Sequence, residues 1–529
     1  MMISGQRLQN DQLLDLTVTG LAFGGNGIAK ADNFVVFVGG AVPGDVVRAR
    51  VTKIKRRYAE ARVEQLLTAS PDRIPARCPS FGECGGCVWQ GLDYQVQLRY
   101  KAQQVRESLE HLGGLRDFQV LPILGMDDPW RYRNRADFSI GVSEQGTLVG
   151  FRPPGRWDSV LPLSECHLLD PSIERVRATV EAWLREQQVP GWDPRSGTGF
   201  ARHLLVRSAQ MGGEVLVSLV TVPQELPAAM SFVERLRSAH PEIVGIVHAV
   251  NGGRADLSSG LESQTLWGRP FLLEHVAGIT LKVSVDAFFQ TNTRMADELY
   301  RLVAHEAGVD ETALDMPPVS GSRDADEAFT PATVGGTGPV VWDLYSGVGS
   351  IGLSLAAGAK GVLGIEAVAT AVGDATENAR LNTIGNVRFQ EGDVAKVLRE
   401  AVDGERQFPR GLERPDVVIV DPPRAGLSNK AISRIGEVQA PRIVYVSCNP
   451  STMAPNVAQL QQFGYRLVRV TPVDMFPHTP HVECVALLTL EHWQQRGESP
   501  RTEAQPGESG GSALSGCEGH PAAVPGRET

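Results

Sequence analysis

No apolar run in this 529-residue chain approaches the ~18 residues that a membrane-spanning helix needs. Residues 1–11 hold no apolar stretch of the kind a signal peptide requires. A soluble, cytoplasmic chain without membrane attachment is therefore the expectation, and its seven cysteines are expected as thiols, not disulfides. Positive charge is also in short supply: 51 Lys and Arg stand against 61 Asp and Glu, a net charge of −10. That balance argues against a polyanionic partner held by overall charge, but phosphate binding needs only local clusters of Lys and Arg. No internal repeat is present. What is present is ordinary for a globular protein, 42% hydrophobic and 21% charged, and the length sets about three domains of roughly 100–200 residues each.

One local cluster stands out. Arg48, Arg50, Lys53, Lys55, Arg56 and Arg57 follow one another without an acid and run directly into Tyr58. Alone, the stripe reads equally well as a solvated strand face or as an RNA-binding surface. It lies within residues 1–70, where short apolar stretches at 16–18, 33–38, 46–51 and 61–63 are separated by glycine turns, the pattern of a small OB-like β-barrel. A helical pattern covers 94–112, and residues 71–280 read as a mixed α/β region with strands such as 214–220 and 243–250. In residues 281–493, apolar strands at 340–344, 361–365, 417–420 and 443–446 alternate with helices, which predicts a doubly wound, Rossmann-like parallel sheet. The fold class expected is thus multi-domain α/β. Residues 317–339 and the tail 494–529 lack apolar periodicity and are expected to be disordered, Cys517 being an unliganded thiol in the tail.

The strand at 340–344 runs into Tyr345-Ser346-Gly347-Val348-Gly349-Ser350-Ile351-Gly352. Gly347, Gly349 and Gly352 satisfy the dinucleotide pattern, and Glu366 ends the next strand where a ribose-binding acid belongs. Taken alone, this loop serves a nicotinamide or an S-adenosylmethionine enzyme equally well. Two later strands end in Asp421-Pro422-Pro423-Arg424 and in Ser447-Cys448-Asn449-Pro450. In an open parallel sheet the ligand crevice lies beyond the carboxyl ends of the strands, so Asp421 and Cys448 are placed to face the glycine loop. A rigid proline turn and an inert buried cysteine are the bland readings, and both weaken when the features end neighbouring strands. A hydride-transfer enzyme needs neither residue.

With Cys78-x5-Cys84-Gly85-Gly86-Cys87, Phe288-Phe289-Gln290-Thr291-Asn292, the segments 343–349, 421–424 and 447–450, and Met475-Phe476-Pro477-His478-Thr479-Pro480-His481-Val482-Glu483, all in this order, the chain resembles the bacterial RNA uracil-5-methyltransferases. It is similar to the branch with an N-terminal TRAM domain and an iron-sulfur cluster, of which 23S rRNA enzymes are the type. The resemblance implies transfer of a methyl group from S-adenosylmethionine to carbon 5 of a uridine. Carbon 5 of uracil is a poor nucleophile, and a thiolate adding to carbon 6 makes it an enolate carbon. Cys448 is the implied nucleophile. Glu483 is the implied base that removes the carbon-5 proton afterwards. Gln290, Tyr345, Gly347, Glu366 and Asp421 are the implied cofactor or substrate contacts, with Glu366 suited to ribose hydroxyls and Asp421 also suited to the uracil edge.

Cys78, Cys84, Cys87 and Cys166 make four soft ligands, and spacing alone allows structural zinc as readily as a 4Fe-4S cluster. The resemblance implies the cluster. His478 and His481 lack further ligands at sensible spacing, so a metal there is not expected. Cys484 is expected to pack in the sheet. RNA would be met by the barrel's basic stripe and by alternate arginines of Arg131-Tyr132-Arg133-Asn134-Arg135 sharing one face of a strand. Ribosomal RNA is the expected partner, with tRNA as the alternative, and no obligate protein partner is implied. An amino-group methyltransferase would place an aromatic residue after the proline pair and needs no thiol. A non-catalytic RNA-binding protein would not need Cys448 and Glu483 together.

Overall fold

The computed structural model describes residues 2–3, 6–144, 146–253, 255, 257–258, 261–310, 312, 314 and 337–491. The expected disordered insertion, up to residue 336, and the expected tail with Cys517 lie outside the described residues. A short strand pair, β1 (Met2–Ile3) and β2 (Gln6–Arg7), leads into a closed five-stranded barrel. Its strands are β3 (Leu13–Leu21), β4 (Gly27–Ala31), β5 (Phe34–Gly39), β6 (Val46–Ile54) and β7 (Tyr58–Thr68), in the order β3-β4-β5-β7-β6. Alternation drives closure: every second residue of β5 is buried, and Val18, Val36, Val38, Val47 and Ala49 fill the interior. Gly27 is required in β4 because a side chain there would collide with Val18 and the Ala41 carbonyl. That strand, with only one large apolar residue, escapes a periodicity search.

Helix α1 (Tyr94–His111) follows, capped by the Asp93 carboxylate, which accepts from the Gln95 and Val96 amides. The two-residue strand β8 (Gln119–Val120) comes next. The central sheet has the order β11-β10-β9-β12-β13-β14-β15. Its strands are β9 (Arg135–Ser143), β10 (Gly146–Phe151), β11 (Leu161–Pro162), β12 (Ala201–Ser208), β13 (Val215–Thr221), β14 (Ile243–Val250) and β15 (Glu262–Gly268). Helices α2 (Pro171–Glu186) and α3 (Ala229–Ala239) bury Val176, Val180, Trp183, Phe232 and Leu236 in a core shared with this sheet. A hairpin of β16 (Phe271–Val276) and β17 (Ile279–Ser284) straddles residue 280, and α4 (Thr293–Ala307) is capped by Asn292, whose side chain accepts from the Met295 amide.

The last sheet has eight strands in the order β20-β19-β18-β21-β22-β24-β23-β8. Its parallel part is β18 (Val340–Leu344), β19 (Gly361–Glu366), β20 (Val387–Glu391), β21 (Val417–Val420) and β22 (Arg442–Ser447). Helices α5 (Ser350–Leu355), α6 (Ala369–Leu381), α7 (Val394–Val402), α8 (Asn429–Val438) and α9 (Pro450–Leu460) connect or follow these strands. Strand β18 is buried throughout, as a parallel strand covered on both faces is, and is apolar except for Asp343. The order reverses between β18 and β21, which opens the crevice there. Strands β23 (Tyr465–Val473) and β24 (Glu483–Leu490) close the sheet as an antiparallel pair, with β24 inserted beside β22. Strand β8, from far upstream, pairs in parallel with β23.

Candidate active site and cysteine cavity

The glycine loop is built locally. Tyr345 adopts φ +65°, Gly347 +55° and Gly349 +81°, which turns the chain sharply from β18 into α5. A side chain at Gly349 would strike the Phe389 ring. Gly352 lets α5 approach Asp343, whose Oδ2 accepts from its amide at 3.0 Å. Burial pushes the Asp343 carboxyl up to about 7, and its Oδ1 is buried without a hydrogen-bond partner among the described residues. Glu366, the last residue of β19, accepts from the Gly347 amide at 3.0 Å with one oxygen and from the Val368 amide at 2.9 Å with the other. Each oxygen keeps a further lone pair, which suits ribose hydroxyls.

Across the switch point stand the acid and the thiol. Asp421 follows β21 half-buried, and burial pushes its carboxyl up to about 7. Cys448 follows β22, half-buried. Glu483 opens β24 and is 4% exposed. Because Ser447 pairs with Cys484 in the antiparallel ladder, the thiol and the carboxyl come from adjacent ends of neighbouring strands. Burial first, and then the Asp421 charge, push Glu483 up to about 8, while Arg424 pulls the other way. Burial, Glu483 and Asp421 together push the Cys448 thiol up to about 11, again opposed by Arg424. Arg424 is the neighbouring charge that favours the thiolate, and the sequence reading assigned it no role.

The thiol has its own supports. Asn449 caps α9 by accepting from the Ser451 amide at 3.1 Å, and its side chain donates to the Arg424 carbonyl at 3.3 Å. Gln290 lies just before α4, and its carbonyl accepts from Asn134 at 2.8 Å. No hydrogen bond joins its side chain to Cys448, Glu483 or Asp421 among the described residues. Cys484 is fully buried in the sheet, as expected.

Cys78, Cys84, Cys87 and Cys166 all line one cavity of about 510 Å³. Gln90 braces it, donating to the Cys87 sulfur at 3.1 Å and accepting from the Cys78 amide at 3.0 Å. Gly85, at φ +75°, lies so close to Pro154 that a side chain could not fit. Among the described residues, no three His, Cys, Asp or Glu side chains stand close enough to share one metal ion. A lone zinc needs its four donors in a single coordination sphere. The four thiols therefore share one cavity but, among the described residues, not one coordination sphere.

The two surfaces expected to meet RNA differ from their sequence readings. Arg48 donates to Asp15 at 2.8 Å and Arg50 to Glu64 at 2.7 Å, and Lys53 stands 3.9 Å from Glu60, so half the stripe is partnered across strands. Lys55, Arg56 and Arg57 remain exposed at the β6–β7 turn. Arg133 and Arg135 line the cysteine cavity, and Arg131, at φ +55°, turns away to donate to the Cys166 carbonyl at 2.9 Å and to bond Glu165. The three do not share one strand face: the chain is regular only from Arg135, and the cysteine-bearing loop claims the other two.

Comparison with known proteins decides between the dinucleotide and methyl-donor readings of the glycine loop. Residues 333–491 match the tRNA (uracil-5-)-methyltransferase family, and residues 7–63 match the TRAM domain. An uncharacterized RNA methyltransferase of Halalkalibacterium halodurans is 36% identical over 92% of this chain and 98% of its own length. The chain belongs to the RNA (uracil-5-)-methyltransferase family. A second relative, an uncharacterized RNA methyltransferase of Nitratidesulfovibrio vulgaris, is 37% identical over 91% of this chain and 96% of its own. Among solved structures, the tRNA (uracil-54, C5)-methyltransferase of Pyrococcus abyssi, bound to S-adenosyl-L-homocysteine, covers 90% of this chain and 100% of its own, with TM-score 0.67 and 27% identity. This methyltransferase is thus a TRAM-domain enzyme with a closed five-stranded barrel, and no described helix is long and apolar enough to cross a membrane.

Proposed function

We propose that this RNA methyltransferase uses S-adenosylmethionine to methylate carbon 5 of a uridine in structured RNA, with Cys448 as nucleophile and Glu483 as base. The observation that carries the reading is the pairing of β22 with β24, which sets a thiol and a buried carboxyl at adjacent strand ends beside the switch-point crevice. The donor supplies an electrophilic methyl group. Glu366, Gly347 and Tyr345 border the glycine loop and would bind its ribose and adenosine, and Asp421 and Gln290 would contact donor or uracil. The Cys448 thiolate adds to carbon 6, and the ring electrons move to carbon 5, which takes the methyl group. Glu483 then accepts the proton left on carbon 5, the electron pair restores the 5,6 double bond, and the carbon–sulfur bond breaks to return the thiolate. Arg424 eases both ionisations. The target base must leave its stack to reach a half-buried thiol.

The four-cysteine cavity would hold a 4Fe-4S cluster through Cys78, Cys84, Cys87 and Cys166. The transfer moves no net electron, so the role read for it is structural. The barrel, with its basic turn, supports RNA contact. Ribosomal RNA of the large subunit is the first candidate substrate. Transfer RNA is the second, favoured by the likeness to the Pyrococcus abyssi enzyme. Mass-spectrometric mapping of 5-methyluridine in ribosomal and transfer RNA, with and without the gene, tests both. Loss of 5-methyluridine from 23S rRNA is expected. Loss from tRNA alone selects the second substrate, and loss of an amino-group methylation instead would contradict the thiol chemistry.

A further inference from the structure

Glu483 is reached through residues 474–482, the connection between β23 and β24. Connections normally run over the surface, because buried backbone polar groups need partners. Here Asp474, Met475, His478, Thr479 and Val482 are all buried, and His478 adopts φ +64°. The partners come from outside the sheet. Lys101 of α1 donates to Asp474 Oδ1 at 2.5 Å and to the Phe476 carbonyl at 3.0 Å. Both ends of that ion pair are fully buried. Tyr94 donates to Asp474 Oδ2 at 2.9 Å. Gln97 accepts from the His478 amide at 3.0 Å and lies 3.2 Å from its Nδ1. Tyr132 donates to the Pro477 carbonyl at 3.0 Å, and Asn292 to the Met475 carbonyl at 3.0 Å. The His478 carbonyl accepts from the Val88 and Trp89 amides, both at 3.1 Å, immediately after Cys87.

A buried ion pair is weak evidence of stabilisation, since desolvation offsets much of its attraction, but it fixes geometry well. Cys448 needs none of these anchors, because β22, Asn449 and α9 place it. The two groups share the β22–β24 ladder through Ser447 and Cys484, but only Glu483 is reached through the anchored segment.

We propose that Gln97, Lys101 and Asp474 are positioning residues for proton removal, holding Glu483 in place through the buried segment 474–482. The proposal rests on the reading of Glu483 as the base. Its mark is selective: loosening the segment slows only the step after methyl transfer, so the methylated ring stays bonded to Cys448. A residue that merely supports the fold would slow all steps and leave no such adduct.

The test uses the full chain, total RNA from a strain lacking the gene, and S-adenosylmethionine labelled in its methyl group. The variants are Gln97→Met, Tyr94→Phe, and Lys101→Met combined with Asp474→Leu so that neither charge is left buried alone. Glu483→Gln is run beside them. Label in denaturation-resistant protein–RNA complex is measured with turnover and the KM for the donor. Turnover is expected to fall at least about tenfold in Gln97→Met and the double variant, and less in Tyr94→Phe. Labelled complex should rise several-fold over the unaltered enzyme, with the donor KM within about twofold. Slower turnover without labelled complex, or unchanged turnover in Gln97→Met, overturns the proposal. If the double variant does not fold, Gln97→Met and Tyr94→Phe, which remove no charge, decide. If Glu483→Gln itself forms no complex, the reading of the base fails instead.

Discussion

Gly347 and Glu366 are joined across 19 positions, whereas the segment leading to Glu483 is held by Gln97 and Lys101, 381 and 373 positions from their partners. In the glycine-loop half of the sheet the Gly347 amide donates to Glu366 and the Gly352 amide to Asp343, and Tyr300 of α4 reaches Ser350 from 50 positions upstream. In the thiol half, β24 is inserted beside β22, and its lead-in segment is clamped by α1 and by amides that follow Cys87. On the function proposed above, the first design puts donor binding mainly in one βαβ region. The second ties Glu483, the proposed base, to the helix after the barrel and to the amides that follow Cys87. Damage to the two halves should therefore separate in kinetics.

The largest expected effect short of removing a catalytic group is at the cysteines. Protein prepared without oxygen should carry about four irons per chain, and Cys87→Ser should lose iron and lower turnover by roughly a hundredfold, or about 2.7 kcal/mol. The donor dissociation constant should stay within about twofold, since among the described residues no hydrogen bond links the glycine loop to Cys87. Equal loss of donor affinity, or zinc in place of iron, would break the comparison. The reverse case is Gly349→Val. A β-branched residue at φ +81°, pressed on Phe389, costs on the order of 1–3 kcal/mol. Donor affinity should fall about tenfold or more, while saturating donor should restore most turnover. Unchanged affinity would show that the loop does not bind the donor.

A smaller effect concerns stability. The Glu483 carboxyl is raised from 4.5 to about 8 in the folded chain. The folded state thus keeps a proton that the unfolded chain releases. The stability this confers is complete below about pH 4.5 and is lost as pH rises through about 8. Glu483→Gln removes that loss, so its stability relative to the unaltered protein should grow between pH 5 and 8.5 by on the order of a few kcal/mol. Thermal unfolding at both pH values measures it, and a constant difference would mean that Glu483 is ionised in the fold.

The same contrast explains what could be read from sequence. Parallel strands covered on both faces announce themselves as continuous apolar runs, and the residues that end them, Asp421 and Cys448, are unusual enough to notice. The alternating barrel strands were nearly as clear, except β4 with its collision-relieving Gly27. Partnership across long separations was not readable. Asp15, Glu64 and Glu60 meet Arg48, Arg50 and Lys53 only once the barrel closes. Arg133 and Arg135 line the cysteine cavity and Arg131 donates to the Cys166 carbonyl, contacts that no spacing in the sequence announces. Two-residue β8 carries no period at all, and nothing near Lys101 advertises Asp474. A lysine buried on the apolar face of α1 is the one signal that could have raised the question.

The division of labour between thiol and carboxyl rests most directly on one experiment. Glu483→Gln, which keeps size and hydrogen bonding but not basicity, is incubated with methyl-labelled S-adenosylmethionine and unmethylated RNA, then separated on a denaturing gel beside Cys448→Ala. The account predicts label travelling with a protein–RNA complex in Glu483→Gln, and neither complex nor methylated RNA in Cys448→Ala. Normal turnover by Glu483→Gln, or methylated uridine from Cys448→Ala, would contradict it.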